Sequence, residues 1–145
     1  PRPVEIPDMR VLKLLLDQGV IVVCAGGGGI PVVRRADGSL IGIEAVIDKD
    51  AASALLASEV GADALLMLTD VDGVYDDWGT PQQTRIGHMT TAEARQRSDP
   101  AGSMGPKIEA ATAFVANGGK LAGIGKLDDA LTILEGAAGT IVADT

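Results

Sequence analysis

Apolar and polar stretches alternate along this chain in lengths that fit a series of strands and helices. Continuous runs of branched aliphatic residues are typical of strands buried on both faces of a parallel sheet, and apolar positions three and four apart are typical of amphipathic helices. The predicted strands are Val20–Cys24, 31–35, 40–43, Ala64–Leu68, Leu121–Ile124 and Thr140–Val142. The predicted helices span 8–18, 50–60, 91–97, the segment from Lys107 to about 116, and 127–134. This order of elements predicts one α/β domain with a largely parallel sheet.

Turn and cap residues mark several boundaries of these elements. Asp37 and Gly38, between two short apolar runs, predict a β-hairpin. Thr90 with Glu93 three residues later is a capping-box pattern, which predicts that a short helix begins there. The stretch 76–87 is polar and rich in turn residues, and we predict that His88 follows it on a connecting loop.

Composition narrows the classes of function. The chain has 145 residues and is 46% hydrophobic, enough for one domain with an aliphatic core, since only Tyr75, Trp78 and Phe114 are aromatic. Its formal net charge of -8 argues against a broad nucleic-acid or membrane surface, because both require a basic face. The single cysteine, Cys24, cannot form an internal disulfide, and no Cys/His cluster indicates a metal. With no bilayer-spanning stretch and no visible signal peptide, we expect a cytoplasmic protein.

Two lysines lie at predicted helix starts, where a cation is unfavourable. Lys49 precedes the helical run 51–57, and Lys107 precedes the run 108–115. A helix N-terminus carries partial positive charge, so an exposed cation there costs about 0.3–1 kcal/mol. A bound phosphate makes the cation favourable at this position, because free N–H groups and an ammonium together attract a polyanion. Two such helix starts in one chain predict an enzyme that handles phosphate.

The first of these lysines also has a simpler interpretation. Asp50 fits the cap of the helix, and Lys49 fits a solvated side chain. In the functional interpretation, Lys49 neutralises phosphoryl oxygens while Asp50 holds it in place.

The loop before the second lysine makes a stronger case for an anion site. Gly102, Ser103 and Gly105 leave the backbone open, and Pro106 stiffens the approach to Lys107. The nearby Met104 fits either a position in the core or a lid over a flat base.

Two further loops are candidates for the ligand-binding edge, because ligands of such sheets bind at the carboxyl ends of strands. Gly26–Gly29 follows a predicted strand, but no helix follows it, so neither a dinucleotide fingerprint nor a P-loop is present and a flexible turn fits equally well. In the loop 69–75, Thr69 and Asp70 fit hydrogen bonds to a ribose or phosphate, and Tyr75 fits the border of a base. Each of these residues also fits a plain turn, and the loop lacks the ligands of a calcium site.

Four segments together resemble the amino-acid kinase superfamily and, within it, the carbamate kinase family. They are 25–32 (AGGGGIPV), 44–50 (EAVIDKD), 68–75 (LTDVDGVY) and 100–107 (PAGSMGPK). The third segment is shared across the superfamily, whereas the second and fourth are much more specific to carbamate kinases. The resemblance covers almost the whole chain.

This resemblance implies a three-layer α/β/α sandwich with a mostly parallel sheet, usually dimeric. It implies reversible phosphoryl transfer between carbamoyl phosphate and ADP, which gives ATP and carbamate, requires Mg²⁺ and serves arginine breakdown. Lys49 and Lys107 would contact the transferring phosphoryl group and the ADP phosphates, and Asp50 would orient both lysines. The implied nucleotide-binding residues are Thr69, Asp70, Val74, Tyr75, Gly102, Ser103 and Met104, and the implied phosphate loop is Gly26, Gly27 and Gly28.

The N-terminal half of that family has no counterpart in this chain. In the family, that half carries a first glycine-rich loop and a further catalytic lysine. The resemblance therefore implies that residues 1–145 form the C-terminal, nucleotide-binding portion of the domain. We expect this portion alone to be weakly active or inactive, with an apolar sheet edge exposed. The alternatives are a nucleotide-binding module without catalysis, an inactive truncation, and a sibling kinase for another acid.

Overall fold

The computed structural model describes residues 1–97 and 104–144, so the predicted contacts of Gly102 and Ser103 lie outside the described residues. The helices are α1 (Met9–Asp17), α2 (Lys49–Val60), α3 (Thr91–Gln96), α4 (Met104–Ala116) and α5 (Ala130–Leu134), the last preceded by a 3-10 turn at Leu127–Asp129. The strands are β1 (Val32–Arg34), β2 (Leu40–Gly42), β3 (Ala64–Thr69), β4 (Val74–Asp76), β5 (Thr84–Ile86), β6 (His88–Met89), β7 (Leu121–Lys126) and β8 (Thr140–Val142).

The main sheet contains four strands in the order β3-β7-β8-β6. β3 and β7 run parallel, paired from Ala64 with Leu121 to Thr69 with Lys126. β8 lies antiparallel to β7, and β6 lies parallel to β8. Two of these three pairings are parallel, which confirms the predicted mostly parallel sheet. The hairpin predicted around Asp37 is also present, as the antiparallel pair β1 and β2.

Helices cover both faces of this sheet. The side chains of β3 alternate between the faces, as expected of a strand with a period of two. Leu65 and Met67 join the core that α2 and α4 cover, whereas Leu66 and Leu68 pack with Ile133 of α5. A sheet with helices on both sides confirms the predicted α/β/α sandwich. None of the helices in the described ranges has the length and apolar character needed to span a membrane.

The start of α2 differs from one of the sequence-based interpretations. Asp48 caps this helix: its backbone is extended, at φ -64° and ψ 131°, and its carboxylate accepts the N–H of Ala51 over 2.9 Å. Gly61 ends the helix in the left-handed conformation, at φ 69°. The interpretation of Asp50 as the cap is therefore wrong, and the Asp50 carboxylate is available to other partners.

α3 begins with the predicted capping box. Thr90 Oγ1 accepts the N–H of Glu93, and the Glu93 carboxylate accepts the N–H of Thr90. A second carboxylate comes from the end of β8, where Asp144 accepts the N–H of Thr91 over 2.8 Å and its hydroxyl over 2.9 Å. These two bonds hold the pKa of Asp144 below its ordinary value of 3.8, and the bond from the backbone N–H has the larger effect.

We expect Asp144→Asn to make the stability of the chain less sensitive to acid. A carboxyl group whose pKa is lower in the folded chain than in the unfolded chain stabilises the fold at pH values above its ordinary pKa. This contribution is lost as the pH falls through the pKa of the folded chain. Urea unfolding at about pH 7 and about pH 3 should therefore show a smaller loss of unfolding free energy for Asp144→Asn than for the wild type. Asp8→Asn is a matched control, because the Asp8 side chain caps nothing. Equal losses in the wild type and Asp144→Asn would contradict the prediction.

The predicted strand Val20–Cys24 is wrong, because the structure places no strand there. The segment is not in the core either: Ile21 is 93% exposed and Val23 is 97% exposed. Branched apolar residues favour extended backbone, but a strand forms only where its N–H and C=O groups find ladder partners. No strand in the described ranges pairs with this segment.

Two regions predicted as loops contain short strands. β4 and β5 form an antiparallel hairpin within the polar stretch after Thr69, with Val74 opposite Ile86. His88 lies in β6, opposite Ile141 of β8, and not on a connecting loop. Strands of two or three residues carry too little periodicity to be recognised, and their pairing depends on distant parts of the chain.

Short connections bring the starts of α2 and α4 to one edge of the sheet. α2 leads into β3 through residues 61–63, and α4 leads into β7 through 117–120, so each helix runs back along the strand that follows it. The 12 residues of α2 span ~18 Å and the 6 residues of β3 span ~20 Å. The start of each helix therefore lies level with the carboxyl end of its strand. Since β3 and β7 are parallel, Lys49, Lys107 and the loop after Thr69 share one edge.

Candidate active site

Asp50 joins the two lysines in one ion-pair centre. Lys107 Nζ donates to Asp50 Oδ2 over 2.9 Å, and Lys49 Nζ donates to both carboxylate oxygens over 3.2 Å. Lys49 and Asp50 begin α2, whereas Lys107 lies near the start of α4, 57 residues further along the chain from Asp50. Both ammonium groups therefore lie within hydrogen-bond distance of a single carboxylate.

Burial differs sharply between the two lysines. The side chains of Lys107 and Asp50 are 8% and 11% exposed, whereas that of Lys49 is 56% exposed. A buried charge requires a partner of opposite sign, and Asp50 supplies it for Lys107. The hydrogen bond to Asp50 is the main cause that raises the pKa of Lys49 above its ordinary value of 10.5, so Lys49 is a cation at neutral pH. The centre thus combines an internal lysine with a lysine that faces solvent, an arrangement that can bind an anion from the open side.

The glycine segment packs against the start of α2. A Cβ at Gly28 would overlap the backbone carbonyl oxygen of Ile47 and lie 3.4 Å from the carbonyl carbon of Asp48. Gly28 also has φ +124°, which side-chain-bearing residues rarely adopt. The structure therefore brings the segment Gly26–Gly29 directly beside the backbone that leads into Lys49.

Side chains within the loop 69–75 bond to one another. Thr69 Oγ1 donates to Asp70 Oδ1 over 3.0 Å. The Tyr75 hydroxyl donates to the Asp72 carboxylate over 3.0 and 3.2 Å, and this bond is the main cause that raises the pKa of Tyr75 above 10.0. The Tyr75 ring also packs edge-on against Trp78, with ring centroids 5.1 Å apart.

The predicted site residues form two groups. Gly28, Lys49, Asp50 and Lys107 are linked through the start of α2, whereas the loop 69–75 is anchored separately. Within residues 1–97 and 104–144, no hydrogen bond or ion pair joins this loop to the lysine centre. Met104 is half-buried and packs against the core that α2 and α4 share.

The structure adds two residues to those that the sequence indicated. The hydroxyl of Thr140 accepts the N–H of Val74, and the guanidinium of Arg85 donates to the carbonyl of Gly139, so both tie the hairpin after the loop to β8. No motif surrounds either residue. Only the pairing of the strands reveals their contact with the loop.

The fold and the paired lysines define a class of protein: an α/β/α sandwich with a cationic centre where two helices begin at the carboxyl edge of parallel strands. Residues 1–124 match the family described as the amino acid kinase family, and the chain belongs to that family.

Within the family, the chain is similar to carbamate kinases. It is 48% identical to the carbamate kinase of Escherichia coli O6:H1 over 143 residues. This alignment covers 99% of this chain and 47% of that protein. It is 46% identical over 147 residues to the carbamate kinase of Rhizobium meliloti, over 100% of this chain and 45% of that protein. The structure of the Giardia lamblia carbamate kinase bound to AMP-PNP matches with a TM-score of 0.93 at 38% identity, over 100% of this chain and 52% of that chain. The chain spans less than half the length of the two bacterial relatives.

Proposed function

We propose that the chain is the C-terminal, nucleotide-binding portion of a carbamate kinase, which transfers a phosphoryl group reversibly between carbamoyl phosphate and ADP. The convergence of Lys49 and Lys107 on Asp50 is the observation that supports this proposal most directly. Membership of the amino acid kinase family and the similarity to carbamate kinases support the substrate class. The whole enzyme is proposed to act as a homodimer in the cytoplasm, in the breakdown of arginine.

The lysine centre supplies what phosphoryl transfer requires of a protein. This reaction depends mainly on positioning and on neutralising charge at the phosphoryl oxygens, so no protein nucleophile is needed. The solvent-facing Lys49 contacts the transferring phosphoryl group, and Lys107 contacts the ADP phosphates. Asp50 orients both ammonium groups. In the direction that makes ATP, an oxygen of the terminal ADP phosphate attacks phosphorus, and the bond from phosphorus to the carbamate oxygen breaks.

The nucleoside end of ADP is proposed to bind along the loop that follows β3. Thr69 and Asp70 contact the ribose or phosphate, and Val74 and Tyr75 border the base. The Tyr75 ring suits that position, because aromatic rings pack favourably against other aromatic rings. Gly102, Ser103 and Met104 are proposed as further nucleotide-binding residues.

Magnesium is proposed to enter as part of the nucleotide substrate. Across the described ranges, no cluster of three or more His, Cys, Asp or Glu side chains could hold a metal ion. The Asp50 carboxylate is already bonded to two ammonium groups. A magnesium ion that keeps several waters and binds phosphate oxygens needs no dedicated protein cage.

Binding of Mg-ADP to the purified chain tests the proposal. We expect a saturable heat of binding by calorimetry, and Lys107→Met should weaken the affinity about tenfold or more, because a charge-assisted hydrogen bond to phosphate is lost. Lys120→Met is a matched control, because Lys120 pairs with Asp63 at an exposed site away from the N-terminal ends of α2 and α4. A chain that melts cooperatively but binds no Mg-ADP would refute the proposed function.

The rate of ATP formation tests whether the chain needs an N-terminal half for catalysis. We expect little ATP from carbamoyl phosphate and Mg-ADP with the chain alone, and more when the N-terminal half of the Escherichia coli relative is added. A chain that alone turns over like a whole carbamate kinase would contradict the assignment as a portion. It would not contradict the assignment as a kinase.

A further inference from the structure

A buried hydroxyl connects the loop 69–75 to the main sheet. Thr140, at the start of β8, is fully buried. Its Oγ1 accepts the backbone N–H of Val74 over 2.7 Å and donates to the backbone carbonyl of Ile86 over 2.5 Å. Val74 and Ile86 lie opposite each other at the base of the β4–β5 hairpin. One side chain therefore holds both strands of the hairpin at the point where the loop ends.

Close packing around Gly73 supports the same anchor. A Cβ at Gly73 would lie 2.8 Å from Thr140 Oγ1 and 3.3 Å from Arg85 Cδ, so a larger residue would push the loop away from the hydroxyl. The Arg85 guanidinium donates to the carbonyl of Gly139 over 2.8 Å, which adds a second bond between the hairpin and β8. The loop is thus seated on β8 by a hydroxyl, a guanidinium and a glycine that permits close approach.

The two ends of the loop are held in different ways. Thr69 belongs to β3, whose ladder with β7 is continuous. At the other end, Val74 donates its N–H to the Thr140 hydroxyl, and Tyr75 follows directly. Removal of the hydroxyl would leave this N–H buried without its acceptor, an unfavourable state that movement of the loop would relieve. The position of the Tyr75 ring would then change as well.

We propose that Thr140 is a positioning residue for nucleotide binding: its hydroxyl holds the loop 69–75 in the conformation that receives the nucleoside of ADP. This inference rests on the proposed function. Thr140 has no hydrogen bond to Lys49, Asp50 or Lys107 among the described residues. Loss of the hydroxyl therefore weakens binding of the nucleoside end and leaves binding of phosphates at the lysine centre unchanged.

Two ligands separate these effects in the full chain: Mg-ADP, and pyrophosphate as a probe of the lysine centre alone. Calorimetry should show that Thr140→Val weakens Mg-ADP about tenfold, whereas the pyrophosphate affinity changes less than about twofold. Thr140→Ser keeps the hydroxyl and should restore Mg-ADP binding. Thr112→Val is a matched control, because Thr112 is also buried but donates only to Ile108 within its own helix.

The outcomes divide clearly. A folded Thr140→Val chain with wild-type Mg-ADP affinity overturns the inference, and so does an equal loss of both ligands, which would indicate a general structural role. If Thr140→Val fails to fold, Gly73→Ala displaces the loop while keeping the hydroxyl, and the same selective loss of Mg-ADP is expected. An unchanged Mg-ADP affinity for folded Gly73→Ala then overturns the inference. Failure of the wild type to bind Mg-ADP overturns the proposed function itself.

Discussion

Asp50→Ala is expected to lower the free energy of unfolding by about 3–5 kcal/mol, because it leaves a buried charge without its partner. The Lys107 side chain is 8% exposed, and Asp50 is its ion-pair partner among the described residues. The measurement is urea unfolding at neutral pH, followed by circular dichroism. A loss of this size is large for a single domain, whose total stability is about 5–15 kcal/mol.

The structure also predicts an order among related variants. Lys107→Met removes the buried cation but leaves Asp50 paired with the exposed Lys49, so the loss should be smaller than for Asp50→Ala. The double variant Asp50→Ala/Lys107→Met removes both buried charges and should be more stable than Asp50→Ala alone. Lys49→Met should cost less than about 1 kcal/mol, because this lysine is 56% exposed.

This order is what distinguishes a coupled pair from two independent residues. If the loss in the double variant equals the sum of the losses in the two single variants, the two side chains do not interact as the structure indicates. If Asp50→Ala unfolds at the wild-type urea concentration, the ion-pair centre does not contribute to the fold.

Local sequence signals predicted the elements that depend on nearby residues. The capping box at Thr90 and Glu93, the hairpin at Asp37 and Gly38, and the end of the helix predicted over 50–60 all appear in the structure. In each case the residue meets a local requirement, such as a side-chain acceptor for a free N–H or a glycine at positive φ. Such requirements are the same whatever the rest of the chain does.

Elements that depend on distant partners were predicted less well. The run 20–24 has the composition of a buried strand, yet the described residues pair no strand with it. Conversely, His88 carries no strand signal and lies in β6 because Ile141 is beside it. The composition of a segment indicates whether it can adopt an extended conformation, whereas a neighbouring strand determines whether it forms part of a sheet.

The same distinction applies to the candidate site. Lysines at two helix starts were visible in the sequence, but the choice between Asp48 and Asp50 as the helix cap was not, since both residues suit that position. In the structure, Asp48 caps the helix and Asp50 pairs with Lys107, 57 residues away. The roles of these residues in phosphoryl transfer stay predictions.

Gly28→Ala is expected to reduce phosphoryl transfer about 100-fold while leaving most of the fold intact, because misplacement by about 1 Å is enough to cause such a loss. The new Cβ would overlap the carbonyl oxygen of Ile47, a backbone atom that cannot rotate away as a side chain can. Either the glycine segment or the start of α2 must shift, and Lys49 lies two residues after Ile47. ATP formation in the mixture with the N-terminal half of the Escherichia coli relative measures transfer, and pyrophosphate binding to the chain alone is an independent readout.

Gly27→Ala separates steric displacement from a simple change of residue type. A Cβ at Gly27 would meet nothing within 4 Å, so we expect a much smaller loss there than at Gly28. Similar losses at both positions would mean that the segment 26–29 responds to lost flexibility and not to its contact with Ile47. If Gly28→Ala keeps wild-type pyrophosphate affinity and transfer, the close approach of this segment to α2 is not needed for phosphate binding. The two alanines therefore test whether the phosphate site depends on the glycine segment being seated against the helix that carries Lys49.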